Sequence, residues 1–253
     1  MIGDLGGEKK RWVKTSQEIK EQAQNVPINS LLAAAYMVFL SSKPEQQRRA
    51  TFTQWQQRFG VQLSFLDFVV SEMDRLEYHH HGMPNDSLSL ENAACMMQFN
   101  RPGFILDESG RCQQFIKSYI KDLQVITADA DHLQSSLELA IRFGKVVFIE
   151  NVISMSPYLT EVLKNQVLTI GSRPSLKLGN NTLDVHPDFK LLLGSKTISS
   201  SEIELTTGLA STVIFSMTQA GLEHQFLSMA ITSENPELGE LMASSVKKEE
   251  ELK

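Results

Sequence analysis

The residues with the most scope for chemistry follow a short apolar run, residues 104–106, which predicts a β-strand. A strand that leads through a tight turn into a helix is the setting of a phosphate-binding P-loop, G-x-x-x-x-G-K-S/T. In such a loop, glycines let backbone N–H groups surround the phosphates, the lysine neutralises their charge and the hydroxyl holds magnesium. The eight residues at this place are Asp107, Glu108, Ser109, Gly110, Arg111, Cys112, Gln113 and Gln114.

This octet departs from the P-loop pattern at every position that the pattern fixes. Asp107 and Cys112 stand at the two glycine positions, Gln113 at the lysine position and Gln114 at the hydroxyl position. The carboxylates of Asp107 and Glu108 would repel a polyphosphate, at a cost of roughly 1–4 kcal/mol for one close contact. We therefore expect a degenerate nucleotide site that holds no cofactor.

Two further predicted strands end in residues that could take part in ATP hydrolysis. An ATPase strand at the place of residues 146–149 ends in Asp-Glu, the first for magnesium and the second for activating water. Here Glu150 could bind a metal, but Asn151 has no basic group and cannot act as a general base. The strand at 191–193 ends in Gly194-Ser195, where an ATPase would place a polar sensor. The three strand ends carry no intact catalytic group, so we expect no enzymatic activity.

Other reactive side chains favour structural roles. His79, His80 and His81 have no cysteine or carboxylate pair at ligand spacing, which favours a solvated loop over a metal site. Cys95 and Cys112 lie in segments that face the predicted core, which indicates two buried thiols in a reducing compartment. We therefore predict no metal and no disulfide framework.

The elements that would position these residues alternate between short strands and helices. This alternation predicts an α/β fold with a mainly parallel, doubly wound sheet. Residues 179–181, Gly-Asn-Asn, predict the turn of a β-hairpin. Predicted strands cover 104–106, 123–127, 146–149, 176–178, 182–185, 191–193 and 212–217, and predicted helices cover 91–98, 113–120, 131–142, 157–167 and 221–231.

The first third of the chain is predicted to be helical. The helices are expected over 8–24, with Pro27 ending the first one, and over 31–40, 46–59 and 63–78. Arg48 and Arg49 form the chain's one Arg-Arg pair, and we expect them on a solvated helix face. Pro236 opens a final charged helix that continues to the last residue.

Composition excludes several classes of function. The 253 residues carry a formal net charge of −6, and basic residues do not cluster, which disfavours nucleic-acid binding. The longest apolar run, residues 28–40, is shorter than the roughly 20 residues that span a membrane. Residues 1–20 are polar and lack the apolar region of a signal peptide. We therefore expect a cytosolic or cytoskeletal protein without a membrane partner.

A series of segments, in this order, resembles the fifth AAA+ module in the motor ring of the dynein heavy chain family. The resemblance extends from about Trp12 onward, and no single motif carries it. The matching segments are GMPNDSLSLENA from residue 82, FILDESGRCQQFIKS (104–118), LELAIRFGKVVFIENV (137–152), SPYLTEVLKN (156–165), LGNNTLDVHPDFKLLLGSK (178–196) and GLEHQFLSMAITSENPEL (221–238).

The resemblance implies an AAA+-like P-loop fold with a helical N-terminal segment and a C-terminal helix. Residues 1–80 would hold the end of a stalk coil and its leading helices, and 81–232 the degenerate α/β core. Residues 233–253 would begin a charged, coil-forming helix that braces the stalk. Such a module has lost nucleotide binding and serves a microtubule-based motor as a structural and mechanical element. Its partners would be neighbouring AAA+ modules or dynein-type chains and, indirectly, microtubules, in the cytoplasm and cytoskeleton or in a ciliary or flagellar axoneme.

Two departures separate this sequence from the family. Tyr78 and three histidines stand where a tryptophan is frequent, and Thr212 stands where an arginine often reaches the neighbouring module's nucleotide, with no arginine nearby in the sequence. The chain could thus be a divergent member or a fragment. Two alternatives remain open, namely a residual nucleotide-binding protein that uses Arg111 and Glu150, and a free-standing interaction module that reuses the fold.

Overall fold

The structure, a computed structural model, describes residues 2–84, 86–99, 101–164, 167–170, 173–178, 181–197, 206–215 and 219–234. A helical N-terminal third precedes an α/β part, as the sequence predicts. The helices are α1 (Ile2–Ala35), α2 (Glu45–Phe59), α3 (Phe65–Val69), α4 (Glu72–His80), α5 (Ser87–Gln98), α6 (Arg111–Tyr119), α7 (Leu133–Phe143), α8 (Pro157–Lys164) and α9 (Gln219–Glu234).

The strands form one five-stranded and one three-stranded sheet. The larger sheet has the order β2-β3-β7-β1-β8 with every neighbouring pair parallel, which confirms the predicted mainly parallel α/β fold. The strands are β1 (Gly103–Asp107), β2 (Gln124–Thr127), β3 (Val146–Glu150), β4 (Val167–Ile170), β5 (Arg173–Leu178), β6 (Asn181–Asp184), β7 (Lys190–Ser195) and β8 (Ser211–Phe215).

The smaller sheet is an antiparallel meander of β4, β5 and β6. Leu178 pairs with Asn181, as in the predicted hairpin, while residues 179–180 of its turn lie outside the described part of the chain. The sequence pattern does not reveal β4, because Val167, the first residue of this strand, continues the predicted helical pattern of 157–167. The charged helix predicted from Pro236 also lies outside the described residues.

The first helix runs through Pro27, so the prediction that Pro27 ends it was wrong. Proline removes one backbone hydrogen bond, but buried side chains beyond it hold the helix in place. Leu32 and Ala33 lie in the core, and the helix continues as a π-helical turn over Tyr36–Leu40. Packing therefore outweighs the local penalty.

The predicted helix over 63–78 is instead two helices, α3 and α4. Ser71 separates them, because its hydroxyl accepts from the Asp74 N–H while the Asp74 carboxylate accepts from the Ser71 N–H. This reciprocal capping box begins a new helix inside a continuous apolar pattern. The sequence signal was present in the S-x-x-D spacing.

Two hydrophobic clusters cover opposite faces of the large sheet. On β1, Ile105 belongs to the cluster formed with the N-terminal helices and α6, while Phe104 belongs to the cluster formed with α7, α8 and the meander. Successive strand residues point to opposite faces, which explains this division. The helices over residues 1–80 thus share a core with the sheet, and the proposed division at residue 81 stays a prediction.

Arg48 is buried at the junction between the helices and the sheet, so its predicted solvated position was wrong. Its guanidinium donates to Asn92 Oδ1 at 2.8 Å and to the Ser41 carbonyl at 2.9 Å. The Glu91 carboxylate lies 3.7 Å away and also accepts from the Tyr36 hydroxyl. A buried cation needs such acceptors, and the sequence pattern alone does not show them.

The acceptors of Arg48 are also the groups that hold the edge strand β8. Ser41 donates its hydroxyl to the Thr212 carbonyl at 2.7 Å and accepts at its own carbonyl from the Ile214 N–H at 3.3 Å. Asn92 donates to the Ile214 carbonyl at 3.1 Å. The outer edge of β8 is therefore occupied by Ser41, just after the π-helical turn, and by α5. Arg48 orients the groups that occupy this edge.

The segment Ala23–Leu40 has the length and apolar composition of a membrane-spanning helix, judged on those two properties alone. Leu32, Ala33, Tyr36 and Leu40 within it are buried in the helical cluster. Buried residues make up 22% of this segment.

The Arg48 contacts predict a large loss of stability on substitution. Arg48→Met should lower the free energy of unfolding by about 3 kcal/mol, because it leaves the Glu91 carboxylate and the Asn92 amide without their buried partner. Urea denaturation measures this change. The neighbouring Arg49→Met is the matched control, since that exposed side chain contributes less than about 1 kcal/mol. Equal effects of the two substitutions would contradict the assignment.

Glu91 predicts a pH dependence of stability. Burial raises the pKa of its carboxyl above the ordinary value of 4.5, against the opposing effects of Tyr36 and Arg48. The folded state therefore holds this proton more tightly than the unfolded state, and the corresponding stability is lost as pH rises from 4.5 through the folded-state pKa. Glu91→Gln should flatten this part of the stability profile measured by urea denaturation. The exposed Glu72→Gln serves as control, and an unchanged slope for Glu91→Gln would contradict the prediction.

Candidate functional site

The predicted site residues lie at the carboxyl edge of the large sheet. Strands β3, β7 and β1 are neighbours in that sheet, so Glu150, Ser195 and Asp107 stand at adjacent strand ends. In open parallel α/β sheets, this edge is the usual place for ligands. We call the segment 107–112, between the end of β1 and the first turn of α6, the β1–α6 loop.

Asp107 is buried and bonded within the β1–α6 loop. Its Oδ1 accepts from the Ser109 N–H at 2.9 Å and from the Ser109 hydroxyl at 2.6 Å. Its Oδ2 accepts from the Cys112 N–H at 2.7 Å. Backbone N–H groups at a helix N-terminus form a natural anion site, and here a carboxylate of the chain itself occupies it.

Gly110 makes this arrangement possible. It caps α6 with a φ of 74°, in the left-handed region that glycine adopts without strain. The chain can therefore turn sharply enough for Asp107 to reach back to the first turn of its own helix. The loop thus has a P-loop's strand-turn-helix geometry with an internal acceptor for its N–H groups.

The remaining residues of the octet do not converge on one point. Glu108, Ser109 and Gln114 are exposed, and Cys112 is buried with its sulfur 3.6 Å from the Met96 sulfur. Gln113 is half-buried, and its Nε2 has no hydrogen-bond partner among the described residues. The Arg111 N–H faces the Ser109 hydroxyl at 3.4 Å.

Both cysteines are free and buried, as the sequence predicts. Burial raises the pKa of the Cys95 thiol to about 12 and that of the Cys112 thiol well above its ordinary value. Both groups are therefore thiols rather than reactive thiolates near neutral pH. Within the described residues, no three His, Cys, Asp or Glu side chains form a group that could hold a metal ion.

Glu150 is paired with a cation that the sequence analysis did not identify. The Lys117 Nζ, on α6, lies 2.7 Å from the Glu150 Oε1, and the carboxylate is largely buried. Asn151, the next residue, is exposed and adopts a φ of 57°. A lysine ammonium thus already pairs with the carboxylate that a metal would need. The position of Lys117 on α6, facing β3, is a tertiary relation that no sequence spacing reveals.

Ser195 at the end of β7 is also engaged locally. It is buried, and its hydroxyl donates to the Thr197 carbonyl at 2.8 Å. The next residue, Lys196, is exposed, and its Cε would lie 3.9 Å from a Cβ at Gly110. The strand-end rule, extended by one residue, would have included this basic group beside the β1–α6 loop.

Thr212, where the family often has an arginine, is buried on β8. The sequence shows no arginine near it, and the fold places Arg101 beside the residues that precede β8. The Arg101 guanidinium donates to the carbonyls of Gly208 at 3.2 Å and Leu209 at 3.0 Å, just before β8. This arginine is bonded to the chain itself.

The sequence is similar to one protein family and to several known proteins. A family model described as the ATP-binding dynein motor region matches residues 76–253. Cytoplasmic dynein 2 heavy chain 1 of Mus musculus is 30% identical over 256 aligned residues, and the human protein is 30% identical over 252. The cytoplasmic dynein heavy chain of Neurospora crassa is 28% identical over 262. The matches cover 98–100% of this chain but 6% of each relative's length.

Substitution of Asp107 tests the internal acceptor. Asp107→Asn should lower the free energy of unfolding by about 1–3 kcal/mol, because an amide N–H₂ would face a backbone N–H that now has a carboxylate acceptor. Thermal unfolding followed by circular dichroism measures the change. Glu108→Gln is the matched control, since that side chain is exposed. The same small effect from both substitutions would show that Asp107 does not stabilise the loop.

Proposed function

This chain belongs to the ATP-binding dynein motor region family, and from that premise we propose that it is a non-catalytic AAA+ module of a dynein heavy chain. Its role in that motor is structural and mechanical. The whole motor hydrolyses ATP at other modules. This module couples the ring mechanically to the stalk and braces the stalk. The chain spans 6% of the length of the curated relatives that it matches, so this role concerns one part of a larger protein.

The proposal rests chiefly on the carboxylate of Asp107. A nucleotide phosphate would need the N–H groups at the start of α6, and two loop N–H groups already donate to Asp107. A phosphate would have to displace a buried carboxylate and then lie beside its negative charge. The absence of the P-loop lysine from the sequence removes the usual compensation.

Residual nucleotide binding through Arg111 and Glu150 is the second candidate function. Glu150 would have to leave Lys117 to ligate magnesium, and the Lys117 Nζ lies 2.7 Å from its carboxylate. The observation in favour of this candidate is Lys196, an exposed cation next to Gly110. A lysine there could attract a phosphate. Titration with nucleotides therefore tests this candidate as well.

The position of the module as the fifth in the ring is also our proposal. It is supported by the order of the segments quoted above and by the form of α1. Trp12, Ile19 and Val26 are exposed by 70%, 58% and 47% and recur every seven residues. A seven-residue apolar spacing is typical of a helix that pairs with another helix. We infer that α1 is the base of the stalk coil.

Neighbouring AAA+ modules are the proposed partners, and microtubules are reached indirectly through the stalk. On α7, Leu139 and Phe143 are exposed by 55% and 69% and lie four residues apart on one face. An exposed apolar pair on a helix outside the sheet suits contact with an adjoining module better than a free-standing one. The protein itself would be located in the cytoplasm and the cytoskeleton, and a ciliary location stays a prediction.

Titration with magnesium-ATP and magnesium-ADP tests the non-catalytic assignment. Isothermal calorimetry at protein concentrations that detect micromolar binding should give no saturable heat, because Asp107 and Lys117 already satisfy the groups that a nucleotide would need. Circular dichroism of the same sample shows that the chain is folded. Saturable binding would overturn the proposal.

If binding appears, two variants identify its source. Lys196→Gln should remove it if the exposed lysine attracts the phosphate, and Glu150→Gln should remove its magnesium dependence if that carboxylate ligates the metal. Binding that neither variant alters would place the nucleotide elsewhere on the chain.

A further inference from the structure

A cavity of about 430 Å³ lies at the amino edge of the large sheet, opposite the β1–α6 loop. Val146 and Lys190, the first residues of β3 and β7, line it, together with Pro102 just before β1. Its volume falls in the range of roughly 300–1,000 Å³ that is typical of small-molecule sites. The full length of the strands therefore separates the cavity from the degenerate nucleotide site.

The body of the cavity is apolar and draws on both sides of the sheet. Met96 and Ile120 come from the side of the N-terminal helices, while Ile141, Val162 and Phe189 come from the side of α7, α8 and the meander. The two hydrophobic clusters thus leave a space where they meet at the sheet edge. Apolar walls of this kind favour the hydrocarbon part of a ligand.

The polar groups of the cavity are basic. Arg101, His186 and Lys190 line it, and none of the described residues in its wall carries a carboxylate. Asp188 lies beside this wall, with its carboxylate 3.6 Å from the His186 Nδ1, so His186 already faces an acid. Arg101 uses one nitrogen for the carbonyls of Gly208 and Leu209. Lys190 is exposed, and its ammonium and the Arg101 guanidinium give this wall two positive charges for an anion.

We propose that this cavity binds a small amphiphilic carboxylate, with its hydrocarbon chain among the apolar walls and its anionic head at Arg101 and Lys190. An apolar body with a one-sided basic rim complements a molecule with one apolar and one anionic end. A neutral chain of the same length fits the walls but leaves the basic rim unmatched. A cationic amphiphile is repelled by that rim.

Methyl NMR of the full chain with decanoate as the probe tests the proposal. Decanoate, kept below its micelle-forming concentration, should shift the methyl signals of Met96, Ile120 and Ile141 saturably. The methyl signals of Met73 and Ile153, two exposed residues that do not line the cavity, should stay in place. Decanol should bind the same residues about threefold more weakly or worse, since it lacks the charge.

Two variants separate the apolar body from the basic rim. Val185→Phe places a ring in the cavity and should weaken decanoate binding by about tenfold or more. Lys190→Gln should weaken decanoate about threefold and leave decanol unchanged, because only the charged head contacts the lysine. Lys145→Gln is the matched control, since this exposed lysine precedes the neighbouring strand and does not line the cavity.

Each result decides the proposal. It is overturned if decanoate gives no saturable shifts, if Met73 and Ile153 shift along with the cavity methyls, or if Val185→Phe in a folded protein leaves the affinity unchanged. Equal loss from Lys190→Gln and Lys145→Gln, or decanol binding as tightly as decanoate, overturns the assignment of the head. Because Lys190 is exposed, its substitution leaves the fold intact even where the larger ring at residue 185 disturbs it. Nucleotide binding elsewhere on the chain leaves this test unaffected.

Discussion

A guanidinium removed from water must have acceptors on several sides, and Arg48 imposes that requirement on the whole junction between helices and sheet. It fixes the carbonyl of Ser41 and the amide of Asn92, and these two residues in turn hold the edge of β8. At β8, the five-stranded sheet therefore ends against the helical segment instead of exposing that edge to solvent. The N-terminal helices are part of the framework that positions the strand ends.

The same rule governs the carboxyl edge of the sheet: a buried polar group there must have a hydrogen-bond or charge partner. The N–H groups of Ser109 and Cys112 in the β1–α6 loop need an acceptor, and Asp107 supplies it from within the chain. Glu150 needs a cation, and Lys117 supplies that. At this edge of the sheet, side chains of the chain itself thus satisfy the loop N–H groups and the Glu150 carboxylate.

Patterns of apolar residues were enough to predict much of the fold and part of the site. The strands at 104–106, 146–149 and 191–193 follow from local sequence, because burial and backbone preference act there together. Pro27 and Arg48 were misjudged because packing from distant residues overrides a local rule. Lys117 was missed because its partner is 33 positions away in the chain and meets it only in the folded protein.

The uninterrupted course of α1 has a geometric consequence. Thirty-four residues at 1.5 Å each give an arm of about 51 Å. Ser41, which follows the π-helical turn after this helix, joins the arm to β8. An arm of that length magnifies small rotations: turning its anchored end by about 5° would carry the far end through about 4 Å. A displacement of that size approaches the pitch of one helical turn, so a change at the sheet edge too small to disturb packing would become a large excursion at the tip.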